Sequence, residues 1–216
     1  TIPKPSARIT KWRVFLFIEG MKRLFLVSVI LFFSLPVLWA QEPELQITYL
    51  TSIPEPHRNI VYDPARPLTI ADFQGTPDAS SDAVAITSSG FRFNAGYRRS
   101  GGKSTIQISV YCSFDKQESW MKEKGKDPHV LAHEQHHFDI SYLHTLRFMQ
   151  KLRTLRLGGQ GFMEQIREAY EVSIAELKEM QNAYDRETSH GILKEEQLAW
   201  SRRLHQELSS LEKKVR

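Results

Sequence analysis

The sequence predicts an α+β domain, with β-strands in the first half of the chain and three helices in the second. Residues 83–97 and 104–114 are rich in β-branched and aromatic side chains near a period of two, as in strands. From Asp127 onward, apolar residues recur at helical spacing in three segments. The order of strands first and helices afterwards is typical of α+β domains.

Residues 21–40 have the layout of a secretory signal peptide. Met21 is followed by two basic residues, then by an apolar run over residues 24–39, and the segment ends at the small residue Ala40. The run is short for crossing ~30 Å of hydrocarbon. We therefore expect cleavage near Ala40 and a secreted or periplasmic protein, with retention as a membrane anchor as the alternative.

Three regions follow from this interpretation. Residues 1–20 precede the plausible start at Met21, and we expect them to lie outside the fold. Residues 21–40 form the signal peptide. Residues 41–216 have the length of one ordinary domain, which we expect to be a single catalytic unit.

Within this domain, residues 41–82 are rich in Pro and turn residues, which predicts extended chain and loops. The two strand segments that follow are separated by RRSGGK, which predicts a hairpin. Asp127 and Pro128 are a helix-start signal, and this helix should end near Leu157, before GGQG. Further helices are predicted over residues 162–184 and 193–214, the last with inward-facing apolar residues Leu198, Trp200, Leu204 and Leu208.

The charge distribution argues against a nucleic-acid partner. The chain has a net charge of +4, but residues 1–40 hold six basic residues against Glu19 alone. The remaining residues include 23 basic and 24 acidic side chains, so they lack the basic surface that phosphate binding requires. Cys112 is the only cysteine, and we interpret it as a small buried residue. Any metal must therefore be held by His and carboxylates.

The run HEQHH contains the spacing of a catalytic zinc site. On a helix, His133 and His137 face the same side, so both imidazoles can reach one tetrahedral ion. Glu134 is one step round the helix, where its carboxylate can act as a base on water without binding the metal. His136 points about 100° away, and His144 lies ~10 Å further along the axis, so neither completes the site.

The third ligand is predicted from the spacing of two antiparallel helices joined at GGQG. With equal rise per residue, the returning helix comes level with HEQHH near residues 184–185, where YDRETSHG begins. Asp185, Glu187 and His190 are the candidates that this run offers. We favour His190, because it follows the expected helix end and precedes Gly191. Asp185 would then accept an N–H from a ligating imidazole.

Three stretches together resemble a known family: PLTIADFQGTP at residues 67–77, HEQHHFDI at 133–140 and YDRETSHG at 184–191. They are similar to the bacterial family of predicted secreted zinc-dependent proteases, over roughly residues 67–200. A Trp commonly stands in that family where this chain has Ile70, outside the metal site. The resemblance implies a zincin-like fold and zinc, but no particular substrate.

The leading functional hypothesis is therefore an exported zinc metallopeptidase. His133, His137 and His190 would hold Zn²⁺, Glu134 would be the general base, and the substrate would be a peptide or protein. One alternative is a non-catalytic exported protein that uses the metal for structure or partner binding. Another is an envelope protein anchored by residues 24–39, with a helical interaction surface. The sequence does not indicate an oligomeric state.

Overall fold

The computed structural model describes residues 42–158 and 161–215. The predicted signal peptide at residues 21–40 and the upstream residues 1–20 lie outside this part of the chain. Within the described residues, no helix combines the length and the apolar character that crossing a membrane requires. The order of elements is the predicted one, with strands first and three long helices afterwards, so the α+β class is confirmed.

The strands form two sheets, one of four strands and one of two. In the larger sheet, β5 pairs along one edge with β4, antiparallel, and along the other edge with β1, parallel, and β2, antiparallel. The smaller sheet pairs β3 with β6. The strands are β1 Glu44–Tyr49, β2 Asn59–Val61, β3 Ala85–Ile86, β4 Ser89–Ser100, β5 Lys103–Asp115 and β6 Trp120–Met121.

The predicted hairpin is confirmed as β4 and β5. Gly101 and Gly102 both have positive φ, at 56° and 79°, which glycine adopts without steric cost in a two-residue hairpin turn. The prediction of one strand over residues 83–97 was wrong in its first part. Thr87 and Ser88 interrupt it: Thr87 Oγ1 donates to the carbonyl of Glu134, and the N–H of Ser88 donates to Ser119 Oγ. These contacts direct the chain from the small sheet into the large one.

The three helices are α1 Pro128–Thr154, α2 Phe162–Thr188 and α3 Lys194–Val215. The predicted start of α1 is confirmed, because Oδ1 of Asp127 accepts a hydrogen bond of 2.7 Å from the N–H of His129 and Pro128 is the first helical residue. The helix ends three residues earlier than predicted, and α2 continues four residues further. That extension carries α2 past Asp185 as regular helix.

α1 is the central element of the fold. One of its faces packs on the sheet, where Phe138 contacts Phe114 and Phe148 contacts Phe91. Its other faces pack against α2 and α3. This burial explains why α1 can hold polar side chains in fixed positions. In α3, Trp200 and Leu204 are buried as predicted, but Leu198 is 52% exposed, so its predicted inward position was wrong.

Candidate metal centre

His133, Glu134 and His137 all lie in the second and third turns of α1. Because the two histidines are four residues apart, their rings face each other, with centroids 4.8 Å apart and planes at 86°. The Nε2 atoms of the two rings are 3.2 Å apart. His133 and Glu134 are each only 5% exposed. The helix therefore presents two imidazole nitrogens towards one point in a largely buried site.

A carboxylate from α2 faces the same point. Oδ1 of Asp185 lies 3.1 Å from Nε2 of His133 and 3.0 Å from Nε2 of His137. This places α2 level with HEQHH at the position that the helix-hairpin spacing predicts. His133, His137 and Asp185 form a group of three side chains whose donor atoms could hold one metal ion.

The geometry of this group fits a tetrahedral cation. Donor atoms at about 2.0–2.1 Å from a tetrahedral zinc ion are themselves about 3.3 Å apart, close to the three separations in this group. Hydrogen bonds alone cannot account for all three contacts. The ionised Asp185 carboxylate only accepts, and each Nε2 either donates its one proton or accepts. Among these three atoms, at least one pair must therefore meet as two donors or as two acceptors. A cation between the three atoms would make every contact favourable.

Gln181 on α2 fixes the orientation of the His137 ring. Its Nε2 donates to the carbonyl of His137 at 2.9 Å and lies 3.3 Å from Ser141 Oγ, so its Oε1 is directed at the imidazole. Nδ1–H of His137 donates to this Oε1. In a neutral imidazole the Nε2 lone pair is then directed at Asp185 and His133. This is the arrangement that orients a histidine ligand.

The ring of Tyr184 packs against both histidines. Its ring stacks on His133, with centroids 4.6 Å apart, and meets His137 edge-on at 5.1 Å. Its hydroxyl is hydrogen-bonded to Nδ1 of His136 at 3.0 Å. Burial, together with the neighbouring His133 and His137, lowers the pKa of His136 to about 4, so this ring is neutral at physiological pH. His136 supports the site without facing the donor group.

The charges in the site are coupled. Burial alone would raise the pKa of Asp185, but its hydrogen bonds with the two histidines outweigh that effect and lower it strongly. Burial alone would lower the pKa of His137, but the Asp185 hydrogen bond and the charge of Glu134 raise it. The site therefore favours an ionised carboxylate and positive charge beside it, as a cation-binding site requires.

His190 follows α2 in a tight loop. Ser189, His190 and Gly191 all have positive φ, which turns the chain back across the donor group. The His190 side chain is 79% exposed, and its Nδ1 lies 3.7 Å from Oδ1 of Asp185. His190 lies at the rim of the site and is not one of the three grouped donors. Its predicted role as a ligand stays a prediction.

Glu187, the third candidate in this run, accepts a hydrogen bond of 2.9 Å from the indole N–H of Trp200. Among the described residues, the structure therefore brings Asp185, and neither Glu187 nor His190, into the group with His133 and His137.

The donor group opens into a cleft of about 810 Å³. One wall is the segment of residues 81–87, which includes β3, and the opposite wall is the loop after α2. Glu134 lines the cleft beside the donor group. Apolar side chains at the rim include Ile86 and Ile192, which are 41% and 74% exposed. A substrate in the cleft would meet the donor atoms, a carboxylate and an apolar rim together.

Sequence reasoning missed the roles of Gln181 and Tyr184. Both lie on the same helix as Asp185, four and one residues before it. Helical periodicity from Asp185 would have placed Gln181 on the same face, towards α1. The stacking of Tyr184 on His133 depends on the side-chain conformations of two helices and has no sequence signal.

The comparisons with known proteins bear on residues 74–191. These residues match the family model described as "Bacterial protein of unknown function (DUF922)". A search of the curated proteins and a search of the solved structures each gave no match. The matched region covers more than half of the chain and includes the HEQHH run, Asp185 and the loop that follows. The chain therefore belongs to the DUF922 family of bacterial proteins of unknown function.

Proposed function

We propose that this protein is an exported zinc-dependent hydrolase that cleaves peptides. The observation that carries the proposal is the convergence of His133 Nε2, His137 Nε2 and Asp185 Oδ1 at 3.0–3.2 Å beside a cleft lined by Glu134. Two histidines and a carboxylate are a ligand set of catalytic zinc sites. The earlier resemblance to predicted secreted zinc-dependent proteases agrees with this chemistry.

We assign the third ligand to Asp185. Its carboxylate is already in contact with both imidazoles, whereas the His190 ring is exposed at the rim. His190 then faces the cleft, where it can contact a bound substrate. This assignment reverses the preference for His190, which rested on a helix end expected before that residue and on Gly191 after it. The reversal follows from α2 remaining helical past Asp185.

Glu134 is the general base in this proposal. Zinc, when bound, lowers the pKa of water and polarises a substrate carbonyl. The Glu134 carboxylate lines the same cleft, so it can accept a proton from the attacking water and return it to the leaving amine. Its backbone is held by the hydrogen bond from Thr87, which links the base to the cleft wall.

A peptide substrate is supported by the edge of β3. The N–H of Lys122 donates to the carbonyl of Val84, so Val84 directs its backbone towards β6. In an antiparallel ladder, the next residue, Ala85, then directs its N–H and C=O away from β6. An extended peptide in the cleft could pair with these groups as an added strand. A strand wall beside α1, the helix that carries HEQHH, also supports a zincin-like arrangement.

The non-catalytic alternative predicts a fourth protein ligand that closes the metal site. Among the described residues, the donor group has three members and lies on an open cleft, which supports the catalytic proposal. We also propose that residues 21–40 direct export and that the mature domain begins near residue 41.

The experiment compares the mature domain, residues 41–216, with its Glu134→Gln variant. Both should bind about one zinc per chain, because Glu134 is not a ligand. The variant should cleave a library of peptides at least about 100-fold more slowly, as read by mass spectrometry, because it lacks the base. A wild-type domain that binds no added zinc would refute the metal site. Equal cleavage by the two proteins would refute the role of Glu134.

A further inference from the structure

His133 has a buried nitrogen that its own neighbours leave unpaired. Nε2 faces the donor group, but Nδ1 is buried and has no hydrogen-bond partner within the described part of the chain. If Nε2 binds a cation as a neutral imidazole, Nδ1 must carry the proton. A buried N–H without an acceptor is costly, so the site needs an acceptor for this proton.

Gln197 on α3 has the complementary unpaired atom. The residue is 4% exposed, and its Nε2 donates to the carbonyl of His129 at 3.2 Å. Because a carbonyl only accepts, this contact determines the direction of the amide, and Oε1 is on the other side. Oε1 is buried and is also without a partner among the described residues. An unpaired donor position and an unpaired acceptor are therefore buried in the same region.

His133 Nδ1 and Gln197 Oε1 both lie beside Gly191. A Cβ built on Gly191 would lie 3.1 Å from Nδ1 of His133 and 3.2 Å from Oε1 of Gln197. The two unpaired atoms thus border the same space, beside a residue that has no side chain to fill it. Gly191 also has a φ of 82°, which favours glycine. Its carbonyl is held by Nε2 of His129 at 2.5 Å, so the loop is fixed in this position.

We propose that Gln197 is a positioning residue for the metal centre: its Oε1 accepts the proton of His133 Nδ1, directly or through one water. The proposal rests on the zinc site described above. It makes the two histidines equivalent, since Gln181 from α2 already accepts the Nδ1 proton of His137. Each imidazole ligand is then oriented by a glutamine from a different helix, which ties α3 to the metal although α3 supplies no ligand.

Two substitutions at this position isolate the acceptor. Gln197→Met removes Oε1, and Gln197→Glu keeps a carboxylate oxygen in its place. Both lose the Nε2 hydrogen bond to the His129 carbonyl, so they differ in the acceptor oxygen and in the negative charge that comes with it. Gln206→Met, on the exposed side of the same helix, controls for replacing a glutamine by methionine in α3.

Zinc affinity of the purified domain is measured by competition with a chelator, after circular dichroism has established that each variant is folded. We expect Gln197→Met to bind zinc about 10- to 100-fold more weakly than wild type, a typical effect of losing a partner of a ligating histidine. Gln197→Glu should bind at least as tightly as wild type, and Gln206→Met should be unchanged. Nitrogen NMR of the zinc-loaded wild type should find the proton of His133 on Nδ1, in a hydrogen bond that Gln197→Met abolishes.

The proposal is overturned if Gln197→Met keeps wild-type affinity, or if Gln197→Glu is as weak as Gln197→Met. Should Gln197→Met fail to fold, Gln197→Glu carries the test, and a tenfold loss of affinity in that variant would overturn the proposal. A wild-type domain that binds no zinc would instead refute the proposed function itself, so the two failures are distinguishable.

Discussion

Oδ1 of Asp185 lies 3.0 Å from Nε2 of His137, which brings a carboxylate of α2 against the second histidine of HEQHH on α1. The same oxygen contacts His133, so a single carboxylate atom joins both imidazoles. Since zinc accepts either carboxylate or imidazole ligands, this relationship separates Asp185 from His190 as the third ligand by position and not by chemistry.

We predict that Asp185→Ala weakens zinc binding at least about 100-fold, because it removes one of three protein ligands. His190→Ala should stay within about threefold of wild type, since its ring is exposed at the rim. The measurement is a zinc titration of each purified domain. Asp82→Ala removes another carboxylate that lines the cleft and serves as the control. The reverse ranking, with a large loss in His190→Ala and a small one in Asp185→Ala, would restore His190 as the ligand.

The sequence predicted the general position of the site because helix geometry alone brings the returning helix level with HEQHH. It could not choose among Asp185, Glu187 and His190, because the choice depends on where α2 ends. The left-handed conformation of Ser189 and His190 determines where α2 ends. Neither serine nor histidine is a residue type whose presence predicts that conformation. The hydrogen bond between Glu187 and Trp200 likewise depends on how α3 packs on α2, a long-range property of the fold.

The strands also differ in how far the sequence predicts them. The hairpin of β4 and β5 is a local structure with an evident glycine turn, so its pattern could be read directly. β1 and β2 lie in the stretch predicted as extended chain and loops, and they become strands only because β5 offers an edge to each of them. Their sequences contain the apolar residues Ile47 and Ile60, but the many neighbouring Pro residues outweighed that signal.

We predict that Asp72, which precedes residues 81–87 of the cleft wall in the chain, makes a contribution to stability that is lost in acid. Its side chain is 9% exposed and accepts hydrogen bonds of 2.8 Å from Arg66 and 2.8 Å from the N–H of Thr69. Burial alone would raise the pKa of Asp72, but these hydrogen bonds outweigh it and lower the pKa. A lowered pKa means that folding favours the ionised form. The contribution is thus present above the unfolded pKa of about 3.9 and is lost as pH falls through the folded value.

Urea unfolding at several pH values tests this prediction. Asp72→Asn should reduce the free energy of unfolding by about 1–3 kcal/mol at pH 7, because it weakens hydrogen bonds to a charged group. The difference from wild type should begin to shrink below about pH 4, where Asp72 of the unfolded chain becomes protonated, and should shrink further as the pH falls through the lowered pKa of the folded state. Asp82→Asn, at an exposed position, should change stability by less than about 0.5 kcal/mol. A deficit that stays constant from pH 7 to acid would contradict the assigned role of the charge.

Gly125 lets the chain pass close to Val84 in the cleft wall. A Cβ at this position would lie 2.6 Å from the carbonyl oxygen of Val84 and 3.2 Å from the Val84 Cβ. The same carbonyl accepts the hydrogen bond from Lys122 that pairs β3 with β6. Because the obstacle is backbone, a side-chain rotation cannot relieve the contact, and the segment that carries Val84 must shift.

We therefore expect Gly125→Ala to reduce the free energy of unfolding by about 1–3 kcal/mol, the usual cost of overpacking. Gly96→Ala is the matched control, because a Cβ there meets no atom within 4 Å and should change stability by less than about 0.5 kcal/mol. Zinc affinity should stay close to wild type in both variants, since the donor atoms lie on α1 and α2 and not on the segment that carries Val84. Urea unfolding and zinc titration of the same preparations check both parts. A Gly125→Ala domain as stable as Gly96→Ala would show that Gly125 and Val84 do not approach as closely as the structure has them.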